Sequence, residues 1–141
     1  MIPNAEQQGQ LLIKALDAWL VGTRRNAWIS TYPVEVYVRK GPWSSSNGRA
    51  RYDAAVQVAN FSVSEQMQGQ GFFKPILNWL ESLKGRHYYC SLGVRMIEVD
   101  GIVFENVSSE VLARILIQRH HQGWRRYQER VYAASHFCLT F

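Results

Sequence analysis

Leu11, Leu12, Ala15, Leu16, Trp19 and Leu20 recur at three- and four-residue intervals, which places them on one stripe of a helix over Ala5–Val21, with Gly22 as its stop. A short basic connection, residues 23–30, leads to a change of period. Val34, Val36 and Val38 alternate with Glu35, Tyr37 and Arg39, the period-two signature of a half-buried strand. Residues 41–48, GPWSSSNG, are dense in turn formers and predict a long hairpin tip. A strand over residues 51–63 returns from it, and the broken alternation of Val56, Val58 and Phe61 predicts a bulge near Ala59 and Asn60. Further on, Phe72, Phe73, Ile76, Leu77, Leu80 and Leu83 form the broad apolar face of a second helix, with Pro75 tolerable only in its first turn. Residues 96–107 read as a strand with a turn or bulge at Asp100 and Gly101. Ser108 or Ser109 can cap a third helix, whose predicted buried stripe is Val111, Leu112, Ile115 and Leu116 and which ends at Gly123 and Trp124. Residues 131–141 read as a final strand. The order α-β-β-β-α-β-α-β predicts one α/β domain over residues 1–141, built on a mixed sheet.

Composition and charge narrow the partners. Hydrophobic residues make up 47% of the chain, enough for a real core. No apolar run approaches the ~20 residues that span a bilayer, and the polar opening MIPNAEQQGQ lacks the basic start of a secretory signal. A cytoplasmic protein without membrane contact is therefore expected. Cys90 and Cys138 lie 48 residues apart, with neither CxxC nor zinc-finger spacing, and read as free thiols of a reducing compartment. The net charge of +5 comes with twelve Arg against four Lys, which suits bidentate contact with phosphate or carboxylate. An anionic ligand, an acidic protein or RNA are all admitted by that surface.

The stretch that carries chemistry lies between the strand ending at Val63 and the second helix: Gln66-Met67-Gln68-Gly69-Gln70-Gly71. A strand, a glycine loop and a helix N-terminus in that order form a phosphate cradle, because loop amides point outward and the helix dipole favours negative charge. A P-loop needs Lys and Ser or Thr after its last glycine, and here Phe72 and Phe73 follow. The dinucleotide fingerprint fails because Lys74 stands at its third glycine. What remains is Q-x-x-G-x-G.

With that loop, its lead-in Phe61-Ser62-Val63, and the downstream run Val103-Phe104-Glu105-Asn106-Val107, helix, Gly123-Trp124, the sequence resembles the GNAT superfamily of N-acetyltransferases, in a subgroup met in bacteria and phages. The resemblance covers about half the chain. It implies a mixed, mostly antiparallel sheet with splayed central parallel strands, flanked by helices. It further implies acetyl-CoA as co-substrate, with Gln66, Met67, Gln68, Gly69, Gln70, Gly71 and Phe72 receiving the pyrophosphate and Phe61, Ser62 and Val63 pairing with the pantetheine arm. Direct acetyl transfer to a primary amine of a protein, an aminoacylated RNA or a small molecule would follow in the splay. Glu105 or Glu65 would serve as proton acceptor, and Trp43 and Asn60 as acceptor contacts. The family's frequent tyrosine is missing: its place is Arg119 counted from Gly123 and Leu116 counted from Ser109, with Tyr127 or Tyr132 downstream as substitutes. A catalytically weak or inactive binding protein of the same fold, acting through its basic surface, is the alternative. Arg119, Arg125, Arg126 and Arg130 form the densest basic cluster; His120 and His121 lack a third ligand, so no metal is expected, and a homodimer is allowed.

Overall fold

The computed structural model describes residues 4–89, 95–107, 109–128 and 135–141. The first helix, α1 (Ala5–Val21), forms over the span its apolar stripe predicts. The Asn4 side-chain oxygen accepts from the amides of Glu6 and Gln7 at 2.8 and 3.3 Å, which caps the start. Its far end is closed by a lysine from another element. The buried Lys40 ammonium donates to the carbonyls of Trp19, Leu20 and Gly22 at 2.7, 3.0 and 2.9 Å, and lies 5.0 Å from the Trp19 ring centre. The Trp19 carbonyl also accepts the Gly22 amide at 3.1 Å, so the lysine completes a helix end that the chain closes only in part.

Eight strands occur among the described residues: β1 (Asn26–Thr31), β2 (Val34–Ser44), β3 (Arg51–Val63), β4 (His87–Tyr89), β5 (Met96–Glu98), β6 (Gly101–Val107), β7 (Trp124–Gln128) and β8 (Ser135–Thr140). Six build one sheet in the order β1-β2-β3-β6-β8-β7, while β4 and β5 pair separately. Every neighbouring pair in the large sheet is antiparallel except β3 with β6. A mixed, mostly antiparallel sheet around a central parallel pair is thus the observed fold. The other helices, α2 (Lys74–Glu81) and α3 (Glu110–Gln118), join α1 in one core with Val36, Val56, Ile102, Phe104 and Phe137 on one face of the sheet. The other face carries a smaller cluster of Tyr52, Ala55, Val103 and Cys138, bordered by Trp43 and Tyr127, to which no helix contributes.

Several expectations are corrected. Residues 23–30 hold the strand β1 rather than a bare connection; as an edge strand it is only half-buried on its inner side, through Ala27, Ile29 and Thr31, and so carries a weak apolar signal. β2 runs on through Gly41, Pro42 and Trp43 to Ser44, so the tip is confined to the turn between Ser45 and Ala50, where the Ser45 amide donates to the Ala50 carbonyl at 2.8 Å. Pro42, which has no ladder N–H to give, falls at a register shift between Gly41 and Trp43. The predicted bulge is present: Tyr37 faces Asn60 and Val38 faces Val58, which leaves Ala59 over.

α2 begins at Lys74 rather than at Phe72, with Pro75 in its first turn. Residues 96–107 divide into β5 and β6, because the Asp100 carboxylate between them accepts the amides of Asp53 and Ala54 at 2.9 and 3.0 Å. β7 lies where no strand is expected, its core-facing positions being Trp124 and Arg126, the latter laid over the Phe137 ring at 5.9 Å. The final strand starts at Ser135, and the earlier part of its expected span lies outside the described residues, as do Cys90, Ser108, Arg130 and Tyr132. On α3, capped by Ser109, only Leu116 is buried and Val111 is 64% exposed, so the predicted stripe is mostly a rim and not core.

Candidate functional site

The parallel pairing of β3 with β6 runs from Ala55–Gly101 to Val58–Phe104 and stops there. Beyond it, β3 remains paired with β2 as far as Val63, so its edge facing β6 carries no strand partner at residues 59–63. β6 turns away at the same level: Asn106 takes a left-handed φ of 53°, and the ladder to β8 slips between Phe104 and Val107. The two central strands therefore part beyond Val58 and Phe104.

At its end β3 enters a 3-10 turn, Glu65–Met67, whose Met67 side chain is buried and anchors the loop to the core. Gly69 and Gly71 follow with φ of 78° and 85°, a region that L side chains rarely adopt, and a Cβ on either would meet nothing within 4 Å. The glycines are thus required by backbone conformation, and the space around them is open. Among the described residues, no hydrogen bond is donated by the amides of residues 68–73, and the first turn of α2 contains no acidic side chain. Amides without acceptors among the described residues, a helix start with no acidic side chain and the exposed Lys74 beside it are groups that can hold an anion.

A groove of about 610 Å³ leads from this cradle. Phe61, Ser62 and Val63 form one wall, the loop and α2 another, and Ser109, Val111, Leu112 and Ile115 of α3 the third. This is why α3 leaves its apolar rim open. Met67, Gln68, Gly69, Gly71 and Phe72 line the groove, whereas Gln66 and Gln70 are exposed and outside the lining. The Phe73 ring, which also lines the groove, stands between Phe61 and Phe104, with centres 5.0 and 5.6 Å away.

The opposite face of the sheet carries the polar groups. Arg39 Nη2 donates to both oxygens of Glu105 at 2.6 Å, and Glu105 is only 10% exposed. The buried Arg39 Nε has no partner among the described residues. Beside this pair, the buried His136 accepts the Asn106 amide on Nδ1 at 3.1 Å, so the histidine is tied to the turned part of β6. Burial pushes the Cys138 thiol up to about 12, with the nearby Glu105 charge adding to the rise against a hydrogen bond from Tyr52. Glu65, by contrast, is exposed in the 3-10 turn beyond β3 and holds no ion pair among the described residues.

Trp43 is not on a polar tip: it pairs with Tyr52 across the β2–β3 ladder, stacks on its ring at 6.3 Å and meets His136 edge-on at 5.3 Å. Asn60 is exposed on β3 just past the bulge. Neither position counted for the missing tyrosine holds a proton donor of that kind. Leu116 is fully buried, and Arg119 is ion-paired with Glu81, whose second oxygen accepts from Trp124 Nε1 at 2.8 Å. The basic cluster disperses: Arg125 donates to the His120 carbonyl and Arg126 to Ser135 Oγ. No group of three or more metal-ligating side chains occurs among the described residues. Arg39, Phe73 and His136 are what sequence reasoning missed; His136 alternates with Phe137 and Leu139, and that alternation alone marked it as facing away from the helices.

No protein-family model matches the chain, and no curated protein matches it. Solved structures do. A mutant of the toxin AtaT, bound to the C-terminus of the antitoxin AtaR and to acetyl-CoA, is 12% identical over 76% of this chain at a TM-score of 0.42, and the match spans 57% of that chain's length. NAA60 of Arabidopsis thaliana in complex with acetyl-CoA is 12% identical over 98% of this chain and 94% of its own, at a TM-score of 0.48. A protein of Klebsiella pneumoniae named as a putative acyl-CoA N-acyltransferase is 16% identical over 94% of this chain and 89% of its own, at a TM-score of 0.42.

Proposed function

We propose that this chain is an acetyl-CoA-dependent N-acetyltransferase of the GNAT type. The observation that supports this reading most is the continuity of three features. A parallel strand pair opens after Val58 and Phe104, an unpaired strand edge follows, and that edge runs into a glycine loop whose amides donate no hydrogen bond among the described residues. The loop amides would hold the pyrophosphate of the co-substrate, and the free edge at Phe61, Ser62 and Val63 would hydrogen-bond its pantetheine arm. The thioester would then lie in the splay, open to the helix-free face of the sheet.

On that face Glu105 is the better proton acceptor of the two carboxylates. It sits on the strand that bounds the splay and is fixed in place by Arg39, whereas Glu65 is a solvated side chain past the end of β3. An amine approaching past Asn60 and Trp43 would give its proton to Glu105 through water. The C–N bond forms as the C–S bond breaks, and the departing thiolate takes its proton from solvent. Transfer is direct, because Cys138 is buried and stays a thiol at neutral pH. The acceptor is a primary amine on an acidic protein, an aminoacylated RNA or a small molecule, each compatible with a net charge of +5.

Calorimetric titration with acetyl-CoA and with CoA tests the reading; no heat and no thermal shift at millimolar ligand would end it. A second reading, a CoA-holding binding protein without turnover, is favoured by Leu116 and Arg119 standing where the family has tyrosine. Thiol release from acetyl-CoA in the presence of acidic peptides, aminoacylated RNA and small amines decides between them. Binding with no release across all three selects the second.

A further inference from the structure

We propose that Phe73 is the residue that limits the acyl group to a two-carbon unit; the inference rests on the acyl-CoA reading above and deepens it. Phe73 is the last residue before α2, so its backbone follows the glycine loop directly while its ring lines the groove. There it meets Phe61 of β3 edge-on at 5.0 Å and 69°, and Phe104 of β6 at 5.6 Å and 61°. Those two residues stand on either side of the splay, one on each central strand. The ring therefore closes the helix side of the gap in which a thioester would sit.

The wall behind it does not yield. Phe104 is 2% exposed and backed by Trp124 at 6.0 Å. Trp124 is in turn fixed by its Nε1–H to Glu81, which Arg119 also holds. Phe61 is held in the β2–β3 ladder opposite Val36. Phe73 is the member of this set outside any strand and only half-buried, with its free side toward the groove. A methyl carbon ends at the ring edge; each further methylene has to displace an aromatic ring packed between two others. Exclusion of one surplus methylene from such a pocket is worth about 10- to 200-fold in affinity or rate.

The test is the affinity profile for CoA, acetyl-CoA, butyryl-CoA and hexanoyl-CoA, measured by calorimetry on the full chain and on Phe73→Ala, Phe73→Leu and Phe73→Trp. The readout is the ratio of butyryl-CoA to acetyl-CoA affinity, in which a general weakening of the groove cancels. The native protein should prefer acetyl-CoA by at least about tenfold. Phe73→Ala should flatten or invert that preference, and Phe73→Leu should fall between. Phe73→Trp should weaken acetyl-CoA relative to free CoA, and it keeps the test alive should the alanine variant fail to fold. A native protein that binds both acyl-CoAs equally, or an alanine variant with an unchanged ratio, overturns the role of Phe73. Failure of the native protein to bind CoA in any form overturns the acyl-CoA reading itself, and the two failures are distinct.

Discussion

Gly69 has two duties that a pair of substitutions can separate. Its φ of 78° lies in the left-handed region, so any side chain there carries a backbone cost, while the empty 4 Å around the missing Cβ means that no steric cost is added. Gly69→Ala should therefore destabilise the free protein by about 1–2 kcal/mol and no more. For a chain of this size that is a melting temperature lower by roughly 3–6 °C. Gly69→Asp should cost no more than that, since aspartate tolerates this conformation better than alanine. On CoA binding the two should part. The aspartate places a charge at the mouth of the cradle, and at a separation on the order of 5 Å it opposes each unit of phosphate charge by about 1 kcal/mol with water-like screening and about 3 kcal/mol at an effective dielectric near 20. The affinity of Gly69→Asp for CoA should thus lie about 5- to 200-fold below that of Gly69→Ala. Calorimetry at low salt and again at about 1 M salt checks the cause, because a Debye length of about 3 Å should shrink the gap between the variants. Equal CoA affinity in the two variants, or a gap indifferent to salt, would refute the assignment of the loop as the anion site.

Other outcomes follow from the same geometry. Glu105→Gln should lower turnover about 10²- to 10⁴-fold with CoA affinity little changed, checked by thiol release at saturating acetyl-CoA; Glu65→Gln should not. Lys40→Met keeps the length of the side chain but removes the donor to the carbonyls of Leu20 and Gly22, and the second donor to that of Trp19, at a cost of about 2–4 kcal/mol measured by urea unfolding. Glu81→Ala removes the acceptor of both Arg119 and Trp124 Nε1, and should cost a further such amount, about 2–4 kcal/mol by the same measurement, while shifting Trp124 fluorescence.

The elements legible in the sequence are those whose burial is one-sided and regular. α1 could be placed to the residue because Leu12, Leu16, Trp19 and Leu20 make an uninterrupted buried stripe. The bulge at Ala59 was legible because the spacing of Val56 and Val58 slips by one residue before Phe61. β1 and β7 were not, since an edge strand shows solvent most of its surface and β7 faces the core partly through an arginine stem. Trp43 was misplaced because GPWSSSNG has the composition of a turn, whereas the long-range ladder to β3 decides that half of it is strand. Val111 and its neighbours have the periodicity of a core stripe, and periodicity does not say whether the apolar face meets protein or the groove.

The candidate site divides along the same line. The cradle is written in backbone requirements, positive φ at Gly69 and Gly71 and a helix start with Pro75 in its first turn, and such requirements leave a local mark in the sequence. The chemistry on the far face is made by residues 66 positions apart in the case of Arg39 and Glu105, and 30 apart in the case of Asn106 and His136. Only the strand order β2-β3-β6-β8 brings them together, and no local pattern encodes that order. A lone glutamate in β6 could equally have been a base or an arginine's partner, and the fold makes it the partner of Arg39. The base role proposed for it rests on that pairing, because Arg39 holds the nearly buried carboxylate in place on the strand that bounds the splay.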